Sequence, residues 1–215
     1  MKIGMINGSS RKHQNQLIEK ELHALKGTSM EIVNFGIYPE EQGNFSYIQM
    51  AIATGLLLSS QAVDFVVTGC SSGTGMMLAC NAMPDVMCGY LANPTDAYLF
   101  GRINDGNAIS LPLGSIDGWA GELNLRYTLE KLFEEPFGTG YPQAEAVRKQ
   151  ADTAYLKELK RQSQIPLIEL LPQLDKSLVL PVLHRKFFYE YVLNEGKNSE
   201  LTKLLERMMK ENDNP

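Results

Sequence analysis

Residues 63–81 read Val63-Asp64-Phe65-Val66-Val67-Thr68-Gly69-Cys70-Ser71-Ser72-Gly73-Thr74-Gly75-Met76-Met77-Leu78-Ala79-Cys80-Asn81. A short β-branched run, Val63 to Thr68, breaks into a turn of glycines, serines and one cysteine, after which apolar residues resume with helical character. Strand, tight loop and helix in that order predict a unit of a parallel α/β sheet. In such sheets ligands sit beyond the carboxyl ends of the strands, where helix starts aim free N–H groups at them. Gly73 and Gly75 allow close approach to the backbone, Ser71 and Ser72 can bond a ligand's oxygens, and Cys70 is the loop's one candidate nucleophile or base. The stretch is read as an active-site loop.

Upstream of it, Lys2 to Ile6 reads as a first strand running into the polar loop Asn7-Gly8-Ser9-Ser10-Arg11-Lys12. Leu17, Ile18, Leu22 and Leu25 fall at helical spacing, with Gly27 as the stop, and Met30 to Phe35 reads as a second strand. Phe45 to Ser60 predicts a helix buried over most of its circumference. Downstream, Val86 to Leu91 is a strand, Asn93-Pro94-Thr95-Asp96 opens a helix to about Ile103, Ala108 to Leu111 is a strand and Trp119 to Phe133 a helix. Five strands alternating with helices predict a doubly wound α/β sheet. The composition changes near Pro136, so residues 1–142 are expected to form the α/β domain and residues 143–215 a helical C-terminal extension. Within the extension, Ile165 to Leu183 is rich in Leu, Ile and Val and broken by Pro166, Pro172 and Pro181, while Leu201, Leu204, Leu205 and Met208 line one side of a last helix. These apolar faces must be buried on the chain's own core or against another subunit.

The chain of 215 residues carries 20 basic against 25 acidic residues, a net charge of -5, and has no basic cluster interleaved with aromatics. A small-molecule partner is expected, and no nucleic acid. Neither a signal-peptide core nor an apolar run of membrane-spanning length is present in the sequence, so no membrane association and a cytoplasmic location are expected. Cys70, Cys80 and Cys88 lack paired Cys-x-x-Cys or histidine spacing, which suggests neither a disulfide framework nor a metal site.

Three loops hold most of the ligand-like chemistry: Asn7 to Lys12, Cys70 to Gly75, and Asn104-Asp105-Gly106-Asn107. At strand ends of a doubly wound sheet, all three are expected to open on one crevice. Each also has a plainer reading. A buried cysteine is commonly a small apolar packer, the natural reading of Cys80 and Cys88 and an open one for Cys70, and Asn-Asp-Gly-Asn is good turn chemistry in itself. Asn7-Gly8-Ser9-Ser10-Arg11 is similar to the phosphate loop of flavodoxin-type flavin reductases, which leaves a flavin-dependent oxidoreductase as one alternative.

Taken together, Cys70-Ser71-Ser72-Gly73-Thr74-Gly75, Ala79-Cys80-Asn81, Asn93-Pro94 and Asn104-Asp105-Gly106-Asn107 resemble the signature of the ribose-5-phosphate isomerase B and galactose-6-phosphate isomerase family. That signature runs roughly Cys-Gly-Thr-Gly-x-Gly, Ala-Ala-Asn, Asp-Pro, His-Asn-Asp-Ala-Asn, and the likeness covers about residues 1–145. It implies a three-layer, Rossmann-like α/β/α fold, a homodimer or higher oligomer with the site at the subunit interface, no cofactor, and aldose–ketose isomerisation of a sugar or sugar phosphate. By the same resemblance Cys70 is the base that moves the proton, and Ser72 takes the place of a loop threonine. Asn7, Gly8, Ser9, Ser71, Gly73, Thr74, Gly75, Asn104, Asn107 and Tyr141 are the expected substrate-binding positions. The chemistry fits, because isomerisation needs one base able to return the proton it takes, with donors aimed at an oxygen that becomes negative.

The chain also departs from the pattern. Gly8-Ser9 stands where the family has Asp-His, Ile103 where it has a ring-opening histidine, and Met87, Ile116, Tyr141 and Glu145 stand at or near its phosphate arginines. Arg102 and Arg148 are possible substitutes for the arginines, and His13 for the histidine. The losses predict poor action on a cyclic sugar phosphate. A sugar-phosphate-binding module that kept the fold and lost catalysis is the second alternative.

Overall fold

The computed structural model describes residues 1–25 and 29–213. Five parallel strands, β1 (Lys2–Asn7), β2 (Glu31–Asn34), β3 (Phe65–Cys70), β4 (Cys88–Tyr90) and β5 (Ala108–Pro112), form one sheet in the order β2-β1-β3-β5-β4. The expected α/β sheet and all five strands are present. Ligation of β3 into the ladder sets its limits. Ile3 pairs with Phe65 and Cys70 with Pro112, so the strand runs two residues further than its β-branched core suggests and Cys70 is its last rung. Chain order reverses between β1 and β3, and this switch point is where a crevice opens at the carboxyl edge.

Alternate residues of the central strands face opposite layers. On one side Ile3, Met5, Phe65, Val67, Ile109 and Leu111 pack under α1 (Asn15–His23), α4 (Pro94–Leu99) and α5 (Gly121–Phe133). On the other, Ile6, Val66 and Ala108 pack under α2 (Tyr47–Ser59) and α3 (Thr74–Ala82). The Gly27 stop expected for the first helix lies outside the described residues. α2 begins on a capping box, in which Ser46 accepts from Gln49 N–H and the Gln49 side chain accepts from Ser46 N–H. Its residues from Met50 to Ser59 are all buried, as its apolar circumference predicts.

The second cover on α2 comes from the end of the chain. After α6 (Ala146–Ser163), the helices α7 (Leu167–Leu170), α8 (Lys176–Leu183), α9 (Lys186–Glu195) and α10 (Ser199–Asp213) fold back over it. Leu167, Leu171, Val179, Val182, Phe188, Leu201, Leu204 and Leu205 join the same buried cluster as Met50, Leu56 and Leu57. Burial of each such side chain is worth about 1.5–3 kcal/mol. The apolar tail is therefore satisfied within its own chain, and its composition is no argument for a second subunit.

Beyond α4 the helix widens by one residue per turn over Phe100–Asn104 and stops at Asp105, whose φ of 47° is left-handed. Room for this turn depends on glycine, because a Cβ at Gly106 would lie 2.2 Å from the Phe100 ring. No described helix is long and apolar enough to cross a membrane.

Candidate active site

The crevice is built from the ends of β1, β3 and β5. Gly8 N–H donates to Gly69 O at 3.0 Å, which brings the first loop beside Cys70; a Cβ at Gly8 would lie 3.8 Å from the cysteine's own. The β3 loop is fixed from behind, where Gly114 N–H donates to Ser71 O at 2.9 Å and Ser110 Oγ donates to Gly73 O at 2.6 Å. Gly73 turns the chain into α3 with a φ of 76°, and a side chain there would strike the Tyr90 ring at 2.8 Å. No side chain caps this helix, so its first N–H groups face the crevice where Cys70 stands half-buried with Ser71, Ser72 and Thr74 exposed beside it. Tyr47, at the start of α2, sets its ring 3.7 Å from where a Gly75 Cβ would be, closing one flank.

Several expected binding residues have other duties. Asn7 is buried; its amide donates to Arg11 O at 3.1 Å and accepts from Asn15 at 3.1 Å, and Asn15 in turn exchanges bonds with Asn34. That ring of asparagines shapes the first loop from inside. Ser9 Oγ accepts from Phe45 N–H at 2.8 Å. Gly8, Ser71, Ser72, Gly73, Thr74 and Gly75 are the expected residues that the structure gathers around Cys70.

Asn104 and Asn107 do not reach that crevice in their own chain. Their loop precedes β5 and so opens at the amino edge of the sheet, whereas Cys70 closes β3 at the carboxyl edge. The expectation of three loops around one crevice is thus corrected for a single chain. Asn107 Oδ1 accepts from Met87 N–H at 2.8 Å and its amide donates to Asp85 O at 2.7 Å. Asn81 does the same for the outer edge of β4, accepting from Cys88 N–H at 3.0 Å and donating to Cys88 O at 2.8 Å. The Asn81 bonds occupy the Cys88 groups that this edge strand would otherwise offer to another chain. Tyr141 stands on the outside of α4, edge-on to Tyr98 at 5.6 Å.

The possible arginine substitutes are also engaged elsewhere. Arg102 is 1% exposed, donates to Leu132 O at 3.0 Å and lies over the rings of Tyr98 and Phe137. Arg148 pairs with Asp152 on its own helix and with Glu145, the residue just before that helix. Cys80 and Cys88 are buried, and a hydrogen bond between the two thiols, then burial, pushes Cys88 well above the ordinary thiol range. Both behave as packers.

The residue that sequence reasoning passed over is Arg11. Its Nε donates to Ser71 Oγ at 3.0 Å and its Nη1 to Asp117 Oδ2 at 2.5 Å, which puts a guanidinium at the meeting point of the β1, β3 and β5 loops. Gln14 also donates to Asp117, at 2.7 Å, and His13 Nε2 lies 3.7 Å from it. The hydrogen bond from Gln14, followed by that from Arg11, lowers the Asp117 carboxyl below its usual range. The signal in the sequence is an arginine in the loop directly after β1, within the stretch that is similar to a flavin phosphate loop.

Two hollows lie away from Cys70. One, of about 440 Å3, follows the free side of β4 past Cys88, Tyr90, Leu99, Phe100, Asn104 and Leu156. The other, of about 350 Å3, lies at the amino edge between Asn107, Lys160 and Gln164. Burial lowers the Lys160 amine below its ordinary value. Among the described residues no three His, Cys, Asp or Glu side chains converge as a metal site.

Residues 3–136 match the model of a family described as Ribose/Galactose Isomerase. The chain belongs to that family. It is an aldose–ketose isomerase of this class, and the flavin oxidoreductase reading of the first loop falls. Two solved structures are similar along the whole chain. A 4-deoxy-L-threo-5-hexosulose-uronate ketol-isomerase, complexed with a tartrate, is 40% identical, covers 98% of this chain and 100% of its own, and superposes with a TM-score of 0.93. A ribose-5-phosphate isomerase from Vibrio parahaemolyticus is 37% identical over 97% of this chain and 99% of its own, with a TM-score of 0.91. The type B ribose 5-phosphate isomerase of Trypanosoma cruzi, 16% identical with a TM-score of 0.63, shares the fold over 76% of this chain and 98% of its own. Among curated proteins none matches.

Proposed function

We propose that this family member is a ketol-isomerase of an open-chain sugar acid, with Cys70 as the proton-transfer base. The observation that carries the reading is the 40% identity along 98% of the chain to the uronate ketol-isomerase. The chemistry of that enzyme's named compound agrees with what this chain lacks. A 4-deoxy-5-hexosulose has no hydroxyl on C4 and a ketone at C5, so neither hydroxyl that would close a five- or six-membered ring onto its C1 aldehyde is present. Such a substrate needs no ring-opening acid, and Ile103 stands where the family resemblance calls for a histidine. A uronate carries a carboxylate instead of a phosphate, and Met87, Ile116, Tyr141 and Glu145 stand at or near the places of the phosphate arginines.

In the proposed reaction the Cys70 thiolate removes the proton from the hydroxyl-bearing carbon next to the aldehyde. The electron pair moves onto the carbonyl oxygen, giving an enediolate whose charge is met by the open N–H groups at the start of α3. Cys70 then returns the proton to the former aldehyde carbon while the hydroxyl proton passes to the other oxygen, with Ser72 as its carrier. The product is a ketose, and atoms balance without an external reductant or oxidant.

A second copy of the chain completes this site. The free side of β4 is a groove with Asn104 lining it toward the amino edge and Tyr90 toward the carboxyl edge, and Leu78, Tyr155, Leu156 and Leu159 are exposed on the helices beside it. A twofold axis through the groove would lay two β4 edges antiparallel, so that Asn104 of each copy meets the carboxyl edge of the other. The same contact would bury the apolar side chains. Exchange of substrate hydrogen for deuterium in heavy water, followed by NMR on the keto-uronate and on ribose 5-phosphate, tests the reading. Exchange on the keto-uronate is expected. Family-typical turnover of ribose 5-phosphate with none of the keto-uronate would overturn it, and binding without exchange on either would favour the binding-module alternative.

A further inference from the structure

We infer that Arg11 is the residue that selects an anionic substrate, by holding the carboxylate at the end of the sugar remote from the Cys70 thiolate. The inference rests on the proposed open-chain sugar acid and names the side chain that would recognise its acid end. A planar guanidinium offers donors in a fixed fork that matches a carboxylate, and Arg11 holds its fork at the crevice, one residue along the β3 loop from Cys70. Nε is tied to Ser71 Oγ at 3.0 Å, which fixes the plane of the group. Nη2 lies over Gly114, 3.2 Å from the point a Cβ there would occupy, so a glycine at the β5 loop is what leaves that corner unobstructed. Nη1 already bonds a carboxylate, that of Asp117, whose side chain is 52% exposed.

Asp117 gives the arrangement its second function. It keeps the fork oriented and its charge neutralised while the crevice is empty, and it sets a threshold, because a ligand must compete with a carboxylate that is already bonded. Gln14 holds Asp117 Oδ1 at 2.7 Å and His13 lies 3.7 Å from the same oxygen, so Asp117 can turn away from Arg11 and keep a partner. A sugar carboxylate can then take the Nη1 and Nη2 side of the fork. A neutral ligand has no means of displacing Asp117.

The test compares the keto-uronate with its own methyl ester, which has the same carbons and no charge. Turnover is read by deuterium exchange, and binding by calorimetry together with the fluorescence of Trp119, the single tryptophan, which is fully exposed two residues beyond Asp117. The wild-type protein is expected to prefer the acid. Arg11→Gln should shrink that preference by roughly 10- to 100-fold, the usual worth of hydrogen bonds to a charged group. Asp117→Asn should enlarge it by a few-fold, since the competing charge is removed and the hydrogen-bonding shape kept. If Arg11 only rivets the loops together, Arg11→Gln weakens acid and ester alike and leaves their ratio unchanged, which overturns the inference; so does an Asp117→Asn protein with an unaltered or smaller ratio. Because binding is read separately from turnover, a protein that binds the acid through Arg11 but exchanges no hydrogen defeats the proposed reaction and supports the assignment of Arg11.

Discussion

At the two edges of the sheet, short polar side chains are put to opposite uses. At the amino edge Asn81 and Asn107 bond backbone groups on either side of the start of β4, and their polar atoms are consumed in holding that short strand. At the carboxyl edge Ser72 and Thr74 stand exposed beside Cys70, the start of α3 is uncapped, and the ion pair of Arg11 with Asp117 is partly open to water. A polar group whose bonds are complete contributes stability and cannot also bind a ligand. One with bonds still to make costs stability and can do chemistry. Position in the topology decides which, since loops after parallel strands open toward helix starts and loops before them do not.

The comparison breaks first at Cys70. Cys70→Ala is expected to reduce deuterium exchange on the keto-uronate by at least about 100-fold, the lower range for a positioned general base. Its melting temperature should stay near that of the unaltered protein, because the thiol is half-buried at a strand end. Full turnover by this variant would remove the carboxyl edge from the chemistry. An effect of comparable size is expected between substrates: turnover of cyclic ribose 5-phosphate should trail that of the open-chain acid by about 100- to 10,000-fold, since Ile103 has no proton to give.

Asn104 tests whether the amino edge is silent in the proposed dimer as it is in one chain. Asn104→Ala should lower turnover, and mixing unfolded Asn104→Ala and Cys70→Ala chains and refolding them together should restore it. Random pairing makes half of the dimers mixed, each with one intact composite site, so about a quarter of the wild-type activity is expected. No recovery would confine the site to a single chain.

Sequence alone carried the sheet, because β-branched runs at regular intervals between apolar helices leave few other arrangements. It carried the β3 loop for the same reason. It failed where contacts are remote in the chain. That Asn7 is enclosed by Asn15 and Asn34, and that Ile165 to Leu183 lies on α2 and not on a partner, depends on packing no local pattern records. The place of Asn104–Asn107 follows from chain order alone. Those residues precede their strand, and in an all-parallel sheet that alone assigns them to the edge opposite Cys70. Arg11 was visible as a cation in the first loop, but only the folded chain brings it to Ser71 and Asp117 across 60 and 106 residues.

Smaller effects should separate the edges by what they leave alone. Asn81→Ala removes three side-chain hydrogen bonds, to Met77 O, Cys88 N and Cys88 O, and should cost about 1.5–4.5 kcal/mol at roughly 0.5–1.5 kcal/mol each. At about 2–4 °C per kcal/mol, a thermal melt resolves that loss. Binding of the keto-uronate by the protein that remains folded should change little. A variant of normal stability would mean that the β4 edge is held by something other than this asparagine.

The smallest expected effect lies between the edges, in the layer that should belong to neither. Glu21 on α1 is 2% exposed along its side chain and meets Arg126 of α5 through two bonds, at 2.8 and 3.1 Å. The hydrogen bonding from Arg126, more than offsetting burial, lowers the Glu21 carboxyl below its ordinary value of 4.5. A carboxyl lowered in the folded state stabilises the protein above its unfolded value and loses that contribution as pH falls through the folded one. Arg126 is 41% exposed, so water screens the pair, and Glu21→Gln should cost only about 1 kcal/mol at neutral pH. Denaturant melts of the two proteins should begin to converge as pH drops below 4.5 and meet below the lowered folded value, where the native glutamate is as uncharged as the glutamine. Activity per folded molecule should be equal at every pH where both are folded. A Glu21→Gln protein whose turnover changed along with its stability would show that strain in the α1–α5 layer reaches the Arg11 loop, which α1 directly follows, and the carboxyl edge could no longer be treated as a site independent of the helices that support it.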